Sequence, residues 1–75
     1  MPPLPSLTAR QVVRALKRAG FTEDRQRGSH LILVNAATKS RTVVPIHRGR
    51  TIKEPLLRGI LRDAGLTAHQ FLALL

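Results

Sequence analysis

The side chains able to move protons near neutral pH are three histidines, His30, His47 and His69. The chain has no cysteine and no tyrosine, so thiolate and phenol chemistry are excluded. Its four acidic residues, Glu23, Asp24, Glu54 and Asp63, do not form a carboxylate pair at a useful spacing. The five glycines make no phosphate-loop pattern. So few anionic or imidazole ligands point away from a metal centre, and no metal and no small-molecule cofactor is expected. What remains is acid/base chemistry by histidine, supported by cations.

His30 has the most suggestive surroundings. It follows Gly28-Ser29 and opens an apolar run, with Arg25 and Arg27 just upstream. Cleavage of RNA by attack of the ribose 2′-OH needs a base near that hydroxyl and cations to stabilise the phosphorane. Imidazole has a suitable pKa for the first task. Guanidinium groups serve the second as oriented donors to phosphate oxygens. On this reading His30 is the general acid/base, Ser29 and the Gly28 backbone shape the site, and Arg27 holds phosphate. Gly28 allows either close backbone approach of a ligand or an unusual turn. On the residues alone, the alternative is that His30 is a structural strand histidine.

His47 directly follows Val44-Pro45-Ile46 and stands among Arg48, Arg50 and Lys53. It is a second acid/base candidate, a phosphate binder, or a loop residue without a role. Arg48, Arg50 and Lys53 suit RNA phosphate, beside a helix start whose backbone N–H groups also favour anions. The alternative is a solvated loop. His69 falls in the first turn of a short helix and reads as a surface residue.

The charge balance names the class of partner. Thirteen Lys and Arg against four Asp and Glu give a formal charge of +9 on 75 residues. The cations are spread from Arg10 to Arg62 and are not confined to a tail. Such a surface attracts polyanions, nucleic acid above all. With 43% hydrophobic residues there is enough apolar material for a core, although the only aromatics are Phe21 and Phe71. No apolar run is long enough to span a membrane. The opening Met1-Pro2-Pro3-Leu4-Pro5 lacks the basic and apolar segments of a secretory signal.

These residues need a scaffold, and the sequence predicts one. Thr8 and Gln11 make a capping box, with Leu7 and Val12 as a staple. Val12, Val13, Leu16 and Ala19 then form an apolar stripe up to Gly20, which places a helix over about 9–19. Residues 21–26 are predicted as a short polar strand. Residues 29–34 are an apolar strand, and 41–46 are rich in β-branched residues, with Pro45 ending that strand or placing it at an edge. The last two should form an antiparallel hairpin. Residues 47–53 read as a basic loop. Pro55 suits a helix start. Leu57, Ile60, Leu61 and Ala64 continue that helix to Gly65, and Thr67 with Gln70 caps a final short one. The expected architecture is α+β: order α-β-β-β-α, two helices on one face of a three-stranded antiparallel sheet, and a short extra C-terminal helix. Residues 1–6 are expected to be a disordered lead and 7–75 a single domain.

Taken together, Ala19-Gly20-Phe21, Arg27-Gly28-Ser29-His30, Val44-Pro45-Ile46-His47 and the 57–66 segment resemble the HicA toxins. The resemblance covers roughly residues 7–71. It implies a double-stranded-RNA-binding-domain-like fold and mRNA interferase activity, with His30 as the catalytic residue. It also implies a HicB-type antitoxin as protein partner, mRNA as substrate and the cytoplasm as location. The chain departs from the family in two places. Pro55-Leu56-Leu57 replaces the usual Gly-Thr-Leu, and the residues after Gly-Ser-His are wholly aliphatic, Leu31-Ile32-Leu33. Two other readings account for the same charge: a non-catalytic RNA-binding module, and a basic surface that serves only an acidic protein partner.

Overall fold

The structure is a computed structural model that describes residues 2–75. Its elements are β1 (Leu7–Thr8), α1 (Ala9–Arg18), β2 (Thr22–Arg27), β3 (His30–Asn35), β4 (Ser40–Pro45), β5 (Thr51–Ile52), α2 (Leu56–Ala64) and α3 (Ala68–Leu72). Strands β2, β3 and β4 form a three-stranded antiparallel sheet in that order. The expected α-β-β-β-α arrangement with a short last helix is therefore observed.

Local signals explain the helices. The Thr8 hydroxyl accepts from the Gln11 N–H at 3.2 Å, and Gln11 Oε1 accepts from the Thr8 N–H at 2.9 Å. Two backbone donors at the start of α1 that have no partner inside the helix, or none yet, are satisfied in this way. Gly20, at φ +102°, lets the chain reverse after α1, and the Phe21 N–H closes onto the Leu16 carbonyl at 3.0 Å. Thr67 and Gln70 repeat the capping box on α3. Pro55 is the cap residue before α2 and not its first turn. Gly65, at φ +74°, ends α2.

Strand β3 is central and sets the packing. Successive side chains alternate between faces. Leu31 and Leu33 enter the core with Val44 of β4, and Thr42 lies buried beside them. Helices α1 and α2 cover this face with Val12, Leu16, Leu57 and Leu61, while Phe71 of α3 fills the remaining space. The Thr42 hydroxyl donates to the Ile60 carbonyl at 3.0 Å, so the buried hydroxyl is satisfied. The Arg18 guanidinium donates to the Leu74 carbonyl at 2.7 Å and ties the C-terminal segment to the end of α1.

One expectation needs correction. Residues 47–53 are not all loop: Thr51–Ile52 pairs antiparallel with Leu7–Thr8. Ile52 and Leu7 are both buried, at 4% and 7% exposure, and apolar burial pulls the two short segments together. The stretch 2–6 makes contacts of its own with the rest of the chain. It has no helix or strand, but Leu4 packs against the core. The Leu4 N–H donates to Glu54 Oε1 at 3.1 Å, and Arg58 donates to the Pro2 carbonyl at 3.2 Å. Prolines at 2, 3 and 5 restrict the unfolded chain, so little entropy opposes this docking. Met1, the first residue of the expected lead, lies outside the described residues.

Leu33 is fully buried at the centre of the sheet. Leu33→Ala should destabilise the fold by about 2–5 kcal/mol, read as a lower midpoint in urea unfolding. The lead offers a pH test. The hydrogen bonds from Arg58, and next the Leu4 N–H, hold the Glu54 carboxyl below its ordinary pKa. Its stabilising contribution is present above the ordinary carboxylate range and is lost as pH falls through the lowered folded value. Glu54→Gln should therefore loosen residues 2–6 at neutral pH, seen as faster amide exchange at Leu4, and the difference from wild type should vanish in acid.

Candidate active site

The Arg27-Gly28-Ser29-His30 segment is the turn between β2 and β3. Arg27 and His30 are direct cross-strand partners, which leaves a two-residue connection. Gly28, at φ +57°, occupies its first central position, the pattern of a type II′ hairpin turn. A Cβ built on Gly28 would meet nothing within 4 Å. The glycine is thus required by backbone conformation and not by crowding. Gln26 Nε2 donates to the Gly28 carbonyl at 3.0 Å and braces the turn.

The alternation of β3 decides where His30 faces. Leu31 and Leu33 point into the core, so His30, Ile32 and Val34 face away from the helices. One transverse row on this open face holds Arg27, His30 and Pro45. The next holds Arg25, Ile32 and Val43. His30 is exposed, and its ring makes no hydrogen bond or ion pair among the described residues. It is not a core histidine held by a buried partner. Arg27 is likewise exposed without an acidic partner, whereas Arg25 pairs with Asp24 at 3.2 Å.

The backbone of Ser29 joins this turn to the second histidine. The Ile46 N–H donates to the Ser29 carbonyl at 2.6 Å, one step beyond the His30–Pro45 pair. His47 follows, in a turn closed by the Arg50 N–H donating to the His47 carbonyl at 3.2 Å. Pro45 is therefore a neighbour of both histidines: it is the cross-strand partner of His30, and it shares a small groove of about 170 Å³ with His47 and Arg50.

His47, Arg48 and Arg50 also line a larger groove of about 410 Å³ whose other wall is Thr8, Ala9 and Arg10. The β1–β5 pair explains this placement. Thr51 is held opposite Thr8, so the loop before it lies against the first turn of α1. The basic loop thus lies beside the expected helix start, that of α2 at Leu56, and also beside the start of α1. Lys53 is exposed on the far side of β5 and does not line the grooves that contain His47 and Arg50. His69 is exposed on α3, in a separate groove with Arg62 and Thr67. Sequence reasoning passed over Arg10 as a site residue. Its place on the polar side of α1 was legible, but its proximity to the 47–50 loop depends on the β1–β5 contact.

Residues 9–66 match the sequence family described as the HicA toxin of bacterial toxin–antitoxin. The chain belongs to this family. No curated protein matches it. As a HicA-family protein it is the toxin of a toxin–antitoxin system. The matched span includes the 27–30 turn, the 47–50 loop, β5 and α2, and stops before α3. Both histidine segments therefore lie within the HicA region, while the lead, β1 and α3 lie outside it.

The turn geometry gives a direct test. Gly28→Ala forces a Cβ-bearing residue to φ +57° and should destabilise the toxin by about 1–2 kcal/mol. For a domain of this size that is a drop of roughly 4–8 °C in Tm per kcal/mol, measurable by circular dichroism. An unchanged Tm would mean that the turn relaxes to another conformation.

Proposed function

We propose that this HicA-family toxin is an endoribonuclease that cleaves mRNA, with His30 as general acid/base. The observation that carries the reading is the exposed, unpartnered His30 ring beside Arg27, at the end of the sheet reached by the Gly28-Ser29 turn. A histidine kept for structure would be buried or hydrogen-bonded. This one is open to a substrate, next to a guanidinium with no acidic neighbour to neutralise it.

In the proposed step the ribose 2′-oxygen bonds to the adjacent phosphorus as the bond from phosphorus to the 5′-oxygen breaks. A proton leaves the 2′-oxygen and another reaches the departing 5′-oxygen. The products are a 2′,3′-cyclic phosphate and a 5′-hydroxyl end. His30 exchanges one of these protons. Arg27 stabilises charge on the non-bridging oxygens, where guanidinium donors act most strongly in the transition state. Ser29 fixes the entry to β3 through its backbone bond to Ile46. His47 is the candidate for the second proton, and Arg48 and Arg50 hold flanking phosphates. Lys53 is left as a more distant contributor to the basic surface.

The groups that converge on the strand end are imidazole and guanidinium. Among the described residues no three His, Asp or Glu side chains come together as a metal cluster. The proposed mechanism uses these groups and calls on no metal or other cofactor. No described helix is long and apolar enough to cross a membrane. The partner proposed for control is a HicB-type antitoxin in the cytoplasm, with an acidic surface that covers His30. A charge of +9 favours such a partner through fast, electrostatically guided association.

His30→Ala should abolish RNA cleavage and growth arrest, with fold and RNA affinity retained because the side chain is exposed and bonds to nothing among the described residues. His47→Ala assayed alongside should lower the rate and change its pH profile if His47 carries the second proton. Cleavage should persist in EDTA. Full toxicity of His30→Ala would rule out the catalytic assignment. Wild-type protein that shifts RNA on a gel but produces no fragments would favour the non-catalytic RNA-binding module.

A further inference from the structure

A further groove runs between α1 and the edge of the sheet at β2. It has a volume of about 450 Å³, with Ala9, Val13, Leu31 and Ile46 as an apolar floor and Arg10 and Arg14 on its rim. Arg10, Ala9 and Ile46 also line the groove of the 47–50 loop, so the two grooves are continuous. They meet at Ile46, whose N–H is bonded to Ser29. The track thus arrives at the strand end that carries His30, although His30 itself lines neither groove.

The charges along this track are unspent. Glu23, Asp24 and Glu54 are committed to Lys17, Arg25 and Arg58. Arg10 and Arg14 are exposed and make no ion pair or side-chain hydrogen bond among the described residues. They stand four residues apart on α1, about 6 Å along its axis, so both point to the same side. Farther along α1, Lys17 lines the same groove but is paired with Glu23, which closes the run of free cations at that end.

We infer that the α1 groove, with Arg10 and Arg14, is a binding track for the single-stranded RNA that extends from the cleavage point. The inference rests on the ribonuclease reading and adds residues to it. A bare polyanion site needs only the cations. Here the cations border an aliphatic floor, which suits a chain that alternates phosphates with flat, poorly solvated bases. Successive phosphates lie against Arg14, Arg10 and then Arg48 and Arg50, while a base rests on Val13 and Leu31. A continuous duplex does not fit this arrangement, because its bases are stacked inside and unavailable to the floor.

The test uses the His30→Ala protein, which binds without cutting, and a fluorescent single-stranded RNA oligonucleotide. Arg10→Gln with Arg14→Gln should weaken binding about tenfold or more and reduce the slope of log affinity against log salt by about 1.4, two phosphates at about 0.7 each. Lys39→Gln with Arg62→Gln removes the same charge from exposed positions outside both grooves and should leave the slope nearly unchanged. Circular dichroism shows that each protein is folded. Val13→Ser supplies an independent arm: it should weaken single-stranded RNA and leave the salt slope unaltered. Equal losses in both charge pairs would reduce the effect to net charge and overturn the track. Unchanged RNA affinity with lost binding of the antitoxin would assign the groove to a protein partner and also overturn it, with the ribonuclease reading intact. If His30→Ala binds no RNA while wild type cuts none, both fail together.

Discussion

The helices pack on one face of the sheet only, and that constraint governs everything else in this toxin. On the other face Ile32 alone of the β3 side chains is shielded, at 6% exposure. In β3 the side chains alternate, and the core claims Leu31 and Leu33. His30 is thereby forced outward, into the row of Arg27 and Pro45. A slip of one residue in register would exchange the two sets. It would place an imidazole in the core and expose two leucines. The large apolar burial that holds the sheet to α1 and α2 is thus the same force that presents His30 to solvent. Because the fold is small, this burial has few substitutes.

A weaker contact organises the second half of the site. The β1–β5 pair is only two residues long in each strand, yet it fixes where the 47–50 loop can lie. Leu7 and Ile52 are buried together, so Thr51 stands opposite Thr8 and the loop is set against the start of α1. Cations from distant parts of the sequence are then neighbours. Their mutual repulsion is tolerated at an exposed surface in salt water. It would be relieved by an anion, which is why the assembly reads as a receptor for phosphate and not as a stabilising feature of the fold. Gly28 and the Ser29–Ile46 bond belong to the same economy of parts: a tight turn and one backbone bond bring the His30 and His47 segments to one end of the sheet.

The helices were legible residue by residue. Thr8 with Gln11, Thr67 with Gln70, and Gly20 and Gly65 all do what their local chemistry dictates. The strands were legible because β3 and β4 are apolar and β-branched. The short β1 and β5 strands were not, since two residues carry no periodicity and their pairing depends on a contact more than forty positions away. The docking of Leu4 was hidden for the same reason. A proline-rich start reads as a free lead until a core edge and the Glu54 carboxylate are there to receive it.

The sequence by itself determined the inventory of chemistry: histidine and guanidinium without thiols, a strongly basic surface, and a Gly-Ser-His element in a chain patterned as a HicA toxin. These follow from residue identity and short-range order. Tertiary structure alone decided the geometry. It set His30 beside Arg27 on the open face, left Lys53 away from the loop grooves, and brought Arg10 to the 47–50 loop. Such juxtapositions arise when distant apolar residues are buried together. The charged side chains are carried along by that packing and do not direct it.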